Sequence, residues 1–187
     1  MQAAPGASLT SDRTDPGTRS HRRASRTICL LLVAGLGALG LVVDQVTKHL
    51  AVQHLDDHSV PLAGGFLHLT LARNAGAAFS TGTSYTSVIT VVAIVAAVVV
   101  VVLAFRVRDR WWAAALGLLL AGVLGNLVDR LFREPGPLRG HVVDFLQLPH
   151  WPIFNVADIC INIAALLILV QVLRGIRLDG TRHHGDA

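Results

Sequence analysis

Residues 88–105 read VITVVAIVAAVVVVVLAF, a run of eighteen residues without one charged side chain. A helix of about 20 mostly apolar residues crosses the roughly 30 Å hydrocarbon core of a bilayer. Valine favours strands in water, but this run is too long for a strand, and lipid requires backbone polar groups to pair within the segment. The run therefore predicts a membrane-spanning helix.

Three further apolar runs lie on either side of it, at residues 28–43, 111–128 and 156–173. The whole chain of 187 residues is 52% hydrophobic and 15% charged, with a mean hydropathy of +0.56. This balance excludes a disordered chain and disfavours a soluble domain. The net charge of +4 comes from basic clusters between apolar runs, so we expect no nucleic-acid partner.

The sequence thus predicts an all-α membrane protein with four transmembrane helices. The four-span domain covers residues 27–173, between a basic, solvated tail at 1–26 and a C-terminal tail at 174–187. A secretory signal peptide with a small-residue cleavage site near Ala38 is the alternative for the first run. That run continues into Asp44 and Lys48 without a clear processing site, which favours a retained helix.

The positions of Arg and Lys predict the orientation. Eleven of the 16 basic residues fall in the N-terminal tail, the link at 106–110 and the C-terminal stretch. Basic residues concentrate on the cytoplasmic side of membrane proteins. We therefore expect both termini in the cytoplasm and the long segments 44–87 and 129–155 outside.

Each outer segment contains a candidate strand. Residues 66–72 alternate apolar and polar side chains, and Gly64-Gly65 and Asn74-Ala75-Gly76 punctuate their ends. Residues 141–145 could pair with them. A small extracytoplasmic β-sheet on the membrane surface is the expected result.

Two aspartates at helix ends are the leading candidates for chemistry. Asp129 closes the third span and Asp158 opens the fourth, each three residues after an asparagine, Asn126 and Asn155. Two carboxylates that share a proton can activate water and protonate a substrate carbonyl, as in aspartic proteases. The alternatives are helix capping or pairing with Arg130, a proton-relay transporter, and a scaffold without chemistry.

Other polar residues support this site or compete with it. Asp44 and Lys48, four residues apart, predict a surface ion pair, or support of the cleft by Asp44 with Lys48 at the headgroups. Arg73 and Asn74 in a turn could hold a substrate backbone. His54 and His58 have ligand spacing, but no Glu follows the first, so we expect no metal site.

Five blocks in order on this four-span frame resemble the bacterial lipoprotein signal peptidase, signal peptidase II, from Leu30 to Leu173. They are Asp44-Gln-Val-Thr-Lys48, Asn74-Ala-Gly-Ala-Ala-Phe79, Gly125-Asn-Leu-Val-Asp-Arg130, His141-Val-Val-Asp-Phe145 and Phe154-Asn-Val-Ala-Asp158.

The resemblance implies an intramembrane aspartic endopeptidase of the bacterial cell membrane. It would cut prolipoproteins just before a diacylglyceryl-modified cysteine, without metal or cofactor, and globomycin would inhibit it. A second outer loop would act as a mobile cover. The resemblance assigns catalysis to Asp129 and Asp158, with substrate binding or support from Asn126, Arg130, Asn155, Asp44 and Asn74. Residues 133–139 are an apparent insertion whose role the resemblance does not give.

Overall fold

The computed structural model describes residues 24–55, 59–76 and 86–182. Within these residues four helices are long and apolar enough to cross a membrane. They are α1 (Arg26–His54), α2 (Thr86–Ala104), α3 (Arg110–Phe132) and α4 (Val156–Leu173). The predicted all-α membrane fold with four transmembrane helices is confirmed.

Helix α1 runs eleven residues beyond the predicted end of its span at residue 43. The extension is polar in sequence, but Asp44, Lys48 and Ala51 recur on one face and are all buried. Residues three and four apart share a helix face, so these side chains point into the bundle rather than ending the helix.

Helix α3 is central and packs against the other three helices. Small residues make the close approach possible, as is usual between helices in membranes. A Cβ added at Gly122 would clash with the Ala157 carbonyl oxygen, and one at Gly125 would lie 2.6 Å from Asp44 Oδ2. The approach of α4 and α1 to α3 therefore depends on the absence of side chains at these two positions.

Three antiparallel strands lie across one end of the bundle, here called the sheet end. They are β1 (Val60–Leu62), β2 (Leu67–Asn74) and β3 (Val142–Gln147), in that order. The predicted pairing of the two outer segments is confirmed, with Arg73 opposite Val143 and an irregularity between Leu69 and Ala72. Strand β1 was not predicted, because three residues that include Pro61 give no alternation to recognise. Mobility of an outer loop stays a prediction.

The opposite end, the link end, is closed by the segments that flank the helices. Arg108 in the α2–α3 link accepts a hydrogen bond from the Ala24 amide (2.9 Å) and donates its own amide to the Leu178 carbonyl (2.8 Å). Trp112 Nε1 donates to the Ile176 carbonyl at 2.9 Å. Part of the predicted C-terminal tail is thus folded, since Ile176 is buried and its backbone pairs with that of Arg182 in an isolated antiparallel β-bridge. Residues 1–23 and 183–187 of the predicted tails lie outside the described residues.

Candidate active site

Asp129 is completely buried at the sheet end of α3. Its Oδ2 lies 2.8 Å from Lys48 Nζ and accepts a 3.2 Å hydrogen bond from the Val143 amide. Its Oδ1 lies 2.5 Å from Arg133 Nε. Both carboxylate oxygens therefore already bind cations of the protein, and neither faces an open cleft.

Asp158 opens α4 in a reciprocal capping arrangement with Asn155. The Asp158 amide donates to Asn155 Oδ1 at 3.0 Å, and the Asn155 amide donates to Asp158 Oδ2 at 3.2 Å. Asn126 Nδ2 donates to Asp158 Oδ1 at 2.9 Å, across from α3. The side chain remains partly exposed. Asp158 thus combines a fixed orientation with access from outside the bundle.

Asp144 on β3 is the second carboxylate beside Asp158. It is 3% exposed, and its oxygens accept from Asn155 Nδ2 at 2.6 Å and Asn74 Nδ2 at 3.0 Å. Burial, with the negative charge of Asp158, raises the pKa of Asp144 to about 6, although the hydrogen bonds from Asn74 and Asn155 oppose the shift. A buried carboxyl with a raised pKa that lies beside a second carboxylate is typical of pairs that share a proton.

The predicted Asp129 contacts Lys48, Arg133 and the Val143 amide, and its catalytic role stays a prediction. Asn155 binds both Asp144 and Asp158 directly. Among the described residues no hydrogen bond joins the Asp158 carboxylate directly to that of Asp144 or Asp129. Asn155 alone links it to Asp144, whereas Lys48 and Asn126 together link it to Asp129. The alternative pairing of Asp129 with Arg130 does not occur either, since its cations are Lys48 and Arg133.

Asp44 and Lys48 form the predicted ion pair, but its predicted location at the surface is wrong. The predicted position of Lys48 at the lipid headgroups is also wrong. Both side chains are fully buried and lie 2.9 Å apart. Asp44 Oδ1 also accepts a 2.8 Å hydrogen bond from the Ala157 amide in the first turn of α4. Asp44 thus fixes the start of the helix that carries Asp158.

Arg130 and Asn74 lie at the same end of the bundle. Arg130 Nε is buried and has no hydrogen-bond partner among the described residues. Asn74 holds Asp144 through Nδ2 and accepts from the Gly76 amide (2.8 Å) through Oδ1. Arg73 is exposed, and its proposed contact with a substrate backbone stays a prediction.

Asp144 is the residue that sequence reasoning passed over. It lies within residues 141–145, which the sequence predicts as a strand and which contribute to the family resemblance. The signal that could have identified it is an acid inside an otherwise apolar strand, whose residues from Val142 to Phe145 are all buried. An acid in such a strand requires partners, and a buried acid is a candidate for function.

An apolar cavity of about 410 Å³ begins at Asp158 and follows α4. Its walls include Trp151, Phe154, Ile159 and Ile163. Ile159 and Ile163 are 38% and 44% exposed on the bundle surface that would face lipid. The cavity thus joins the carboxylate to the expected bilayer.

His54 and His58 are the two histidines with metal-ligand spacing in the sequence. His58 lies outside the described residues, and among the described ones no three His, Cys, Asp or Glu side chains form a metal-binding group.

Comparison with known proteins gives one family. Residues 36–174 match the family model described as signal peptidase (SPase) II. The chain is 45% identical over 176 residues to the lipoprotein signal peptidase of Mycobacterium avium (strain 104), covering 92% of this chain and 93% of the relative. It is 46% identical over 158 residues to that of Rhodococcus jostii (strain RHA1), covering 84% and 78%.

A solved structure of the same shape is described as a bacterial membrane enzyme at 1.9 Å resolution. It superposes with a TM-score of 0.68 and 27% sequence identity over 82% of this chain and 97% of that chain.

Proposed function

The chain belongs to the signal peptidase II family, and from that membership we propose that it is an aspartic endopeptidase that processes prolipoproteins in the membrane. Its substrate carries a diacylglyceryl group on a cysteine, and the bond cut is the one just before that cysteine. The observation that carries the aspartic mechanism is the joint hold of Asn155 on Asp144 and Asp158.

Asp144 and Asp158 share one proton in the active state. The ionised carboxylate accepts a proton from water as the water oxygen attacks the scissile carbonyl carbon, and the protonated one donates to the carbonyl oxygen. The tetrahedral intermediate then collapses. The carbon–nitrogen bond breaks, and a carboxyl group of the pair protonates the leaving amine. The pKa of Asp144, raised from 3.8 to about 6, supports a proton held on this pair at mildly acidic pH.

Asp129 has a supporting role in this proposal. Its carboxylate accepts from the amide of Val143, the residue before Asp144, and pairs with Lys48 and Arg133. These contacts fix the start of β3 relative to α1 and α3. In this proposal Asp129 positions Asp144 through the backbone of β3, whereas the sequence-based prediction makes Asp129 itself a reacting group.

The surroundings of the pair fit a lipid-linked peptide. Arg130 carries a buried donor without a partner among the described residues, which a substrate carbonyl can use. The cavity beside Asp158 takes an acyl chain that enters from the bilayer between Trp151 and Ile163. Since the lipid anchors the substrate at the membrane surface, its scissile bond reaches the sheet end of the bundle.

The distribution of arginines supports the proposed orientation, and membership of the family supports the proposals on inhibitors and cofactors. Both termini lie in the cytoplasm, and the sheet end lies at the outer face of the bacterial membrane. Globomycin-type inhibitors bind over the two carboxylates. Metal and cofactor have no part in the reaction.

The test is cleavage of a synthetic diacylglyceryl-modified prolipoprotein by the purified protein in detergent with a chelator present. Asp144→Asn and Asp158→Asn should each reduce kcat at least about 10²-fold, the scale of general acid–base catalysis. Asp129→Asn should lower thermal stability and retain measurable cleavage per folded protein. Asp109→Asn at the link end is the matched control and should cleave at the wild-type rate.

Two results would change the proposal. If folded Asp129→Asn is inactive while Asp144→Asn cleaves normally, the catalytic pair is the one predicted from sequence. If all three variants cleave at the wild-type rate, the aspartic mechanism is wrong.

A further inference from the structure

The chain contains fifteen arginines and a single lysine, and that lysine, Lys48, is fully buried. A buried cation is costly unless it is paired and hydrogen-bonded. The two carboxylates that pair with Lys48 offset this cost. This pairing does not explain why the buried cation is a lysine in a chain whose other basic side chains are arginines.

The geometry of the ammonium group answers this. Lys48 Nζ lies 2.9 Å from Asp44 Oδ2, 2.8 Å from Asp129 Oδ2 and 3.1 Å from Asn126 Oδ1. These partners come from two helices and surround one atom. A compact ammonium with three donors can bind all three at once, whereas the planar guanidinium of arginine presents its donors as a fork.

The contact with Asn126 fixes which way that amide faces. Asn126 Oδ1 accepts from Lys48 Nζ and from Asn155 Nδ2, the latter at 3.1 Å. Its Nδ2 is thereby directed to Asp158 Oδ1 at 2.9 Å. With the amide reversed, its N–H groups would point at a cation and its oxygen at a carboxylate. Lys48, together with Asn155, therefore opposes the orientation that would leave this Asp158 oxygen without a donor.

We propose that Lys48 is a positioning residue that acts on Asp158 through the Asn126 amide. The inference rests on the proposed peptidase activity and adds to it a contact route from α1 to the reacting carboxylate. Its rival is a purely structural role, in which Lys48 only neutralises Asp44 and Asp129.

A double-mutant cycle separates these two roles. The reference is Asp129→Asn, because adding Lys48→Gln to it removes one cation where one anion has already been removed, which returns the cluster to the net charge of the wild type. Asn126→Ala, Lys48→Gln and both together are then made in this reference. The assay is steady-state cleavage of the diacylglyceryl-modified prolipoprotein, with kcat expressed per folded, monodisperse protein.

If Lys48 acts through Asn126, each substitution lowers kcat about tenfold with KM unchanged, and the combination lowers it no further. Residues that act as one unit give such non-additive effects. A purely structural Lys48 gives a lower thermal midpoint with unchanged kcat per folded protein, or effects on kcat that multiply. Either of those results overturns the proposal.

Gln45→Leu is the matched control. Gln45 Nε2 donates to Asp44 Oδ2 and to the Gly125 carbonyl in the same cluster but does not contact Asn126. It should leave kcat unchanged. Loss of all cleavage in the Asp129→Asn reference itself would instead count against the proposed catalytic pair, so the two failures are distinguishable.

Discussion

Replacing Asn74 with alanine should move the alkaline limb of the pH–rate profile to higher pH. Asn74 Nδ2 donates to Asp144 Oδ2 at 3.0 Å, and this bond lowers the pKa of Asp144 against the larger effect of burial. A donor to a carboxylate favours the charged form, so removing it favours the protonated form and raises the pKa. Since the proposed reaction needs one shared proton, activity is lost as pH rises through that pKa, and a higher pKa delays the loss.

The size of the shift follows from the strength of one charge-assisted hydrogen bond. Such a bond contributes about 1.5–3 kcal/mol. One pKa unit corresponds to about 1.4 kcal/mol. Because Asn74 is only partly buried, the lower figure applies, and the limb should move by about one unit from the value of about 6 in the wild type.

The measurement is kcat/KM for the diacylglyceryl-modified prolipoprotein between pH 4 and pH 9, which reports groups of the free enzyme. Thr70→Val is the control, because Thr70 lies on the same strand and its hydroxyl bonds Gln147 on β3 instead of Asp144. Its profile should match the wild type. A limb that stays in place or moves to lower pH in Asn74→Ala would refute the reasoning.

Three further substitutions test the fold and the cavity. Gly125→Ala should lower the free energy of unfolding by about 1–3 kcal/mol in thermal melts, because its Cβ would meet the buried carboxylate of α1, whereas Gly35→Ala, in open space, should be neutral or slightly stabilising. Asp109→Ala should cost about 1–3 kcal/mol, since it removes the N-terminal cap of α3 and a buried bond to α4, yet leave cleavage per folded protein unchanged. Ile163→Trp should reduce kcat/KM for substrates with palmitoyl chains more than for substrates with octanoyl chains. Leu166→Trp, outside the cavity, should show no such difference. Equal losses for both lipids would place the peptide, rather than the acyl chain, in the cavity.

The helices could be predicted from sequence because lipid imposes a simple rule. A segment such as residues 88–105 must satisfy its backbone internally, so its length and lack of charge suffice. The end of α1 was missed for the opposite reason. Asp44 and Lys48 resemble residues at a membrane surface, and their burial depends on partners from α3 and α4 that sequence separation conceals.

The site was predicted in part. The Asn-x-x-Asp spacing predicts the contact of Asn155 with Asp158, because a separation of three residues at a helix start is local information, whereas the bond from Asn126 to Asp158 joins two helices. The place of Asp144 depends on the pairing of β3 with β2, and its pKa depends on burial. Both properties belong to the tertiary structure. In the sequence, Asp129 and Asp158 therefore appear equivalent, as acids at helix ends. In the structure, Asp129 is paired with two cations, whereas Asp158 lies beside Asp144, which is bound by amides.

The closure of the link end has a consequence for biosynthesis. Residues 176–182 leave the ribosome last among the described residues, yet they accept the hydrogen bonds of the Arg108 amide and the Trp112 indole. Until they emerge, these two donors and the buried residues around them lack their native cover. A nascent chain cut short before residue 176 would contain all four spans and both proposed catalytic acids and still be incomplete. Such a product would leave the Arg108 amide and the Trp112 indole at the link end without their native acceptors.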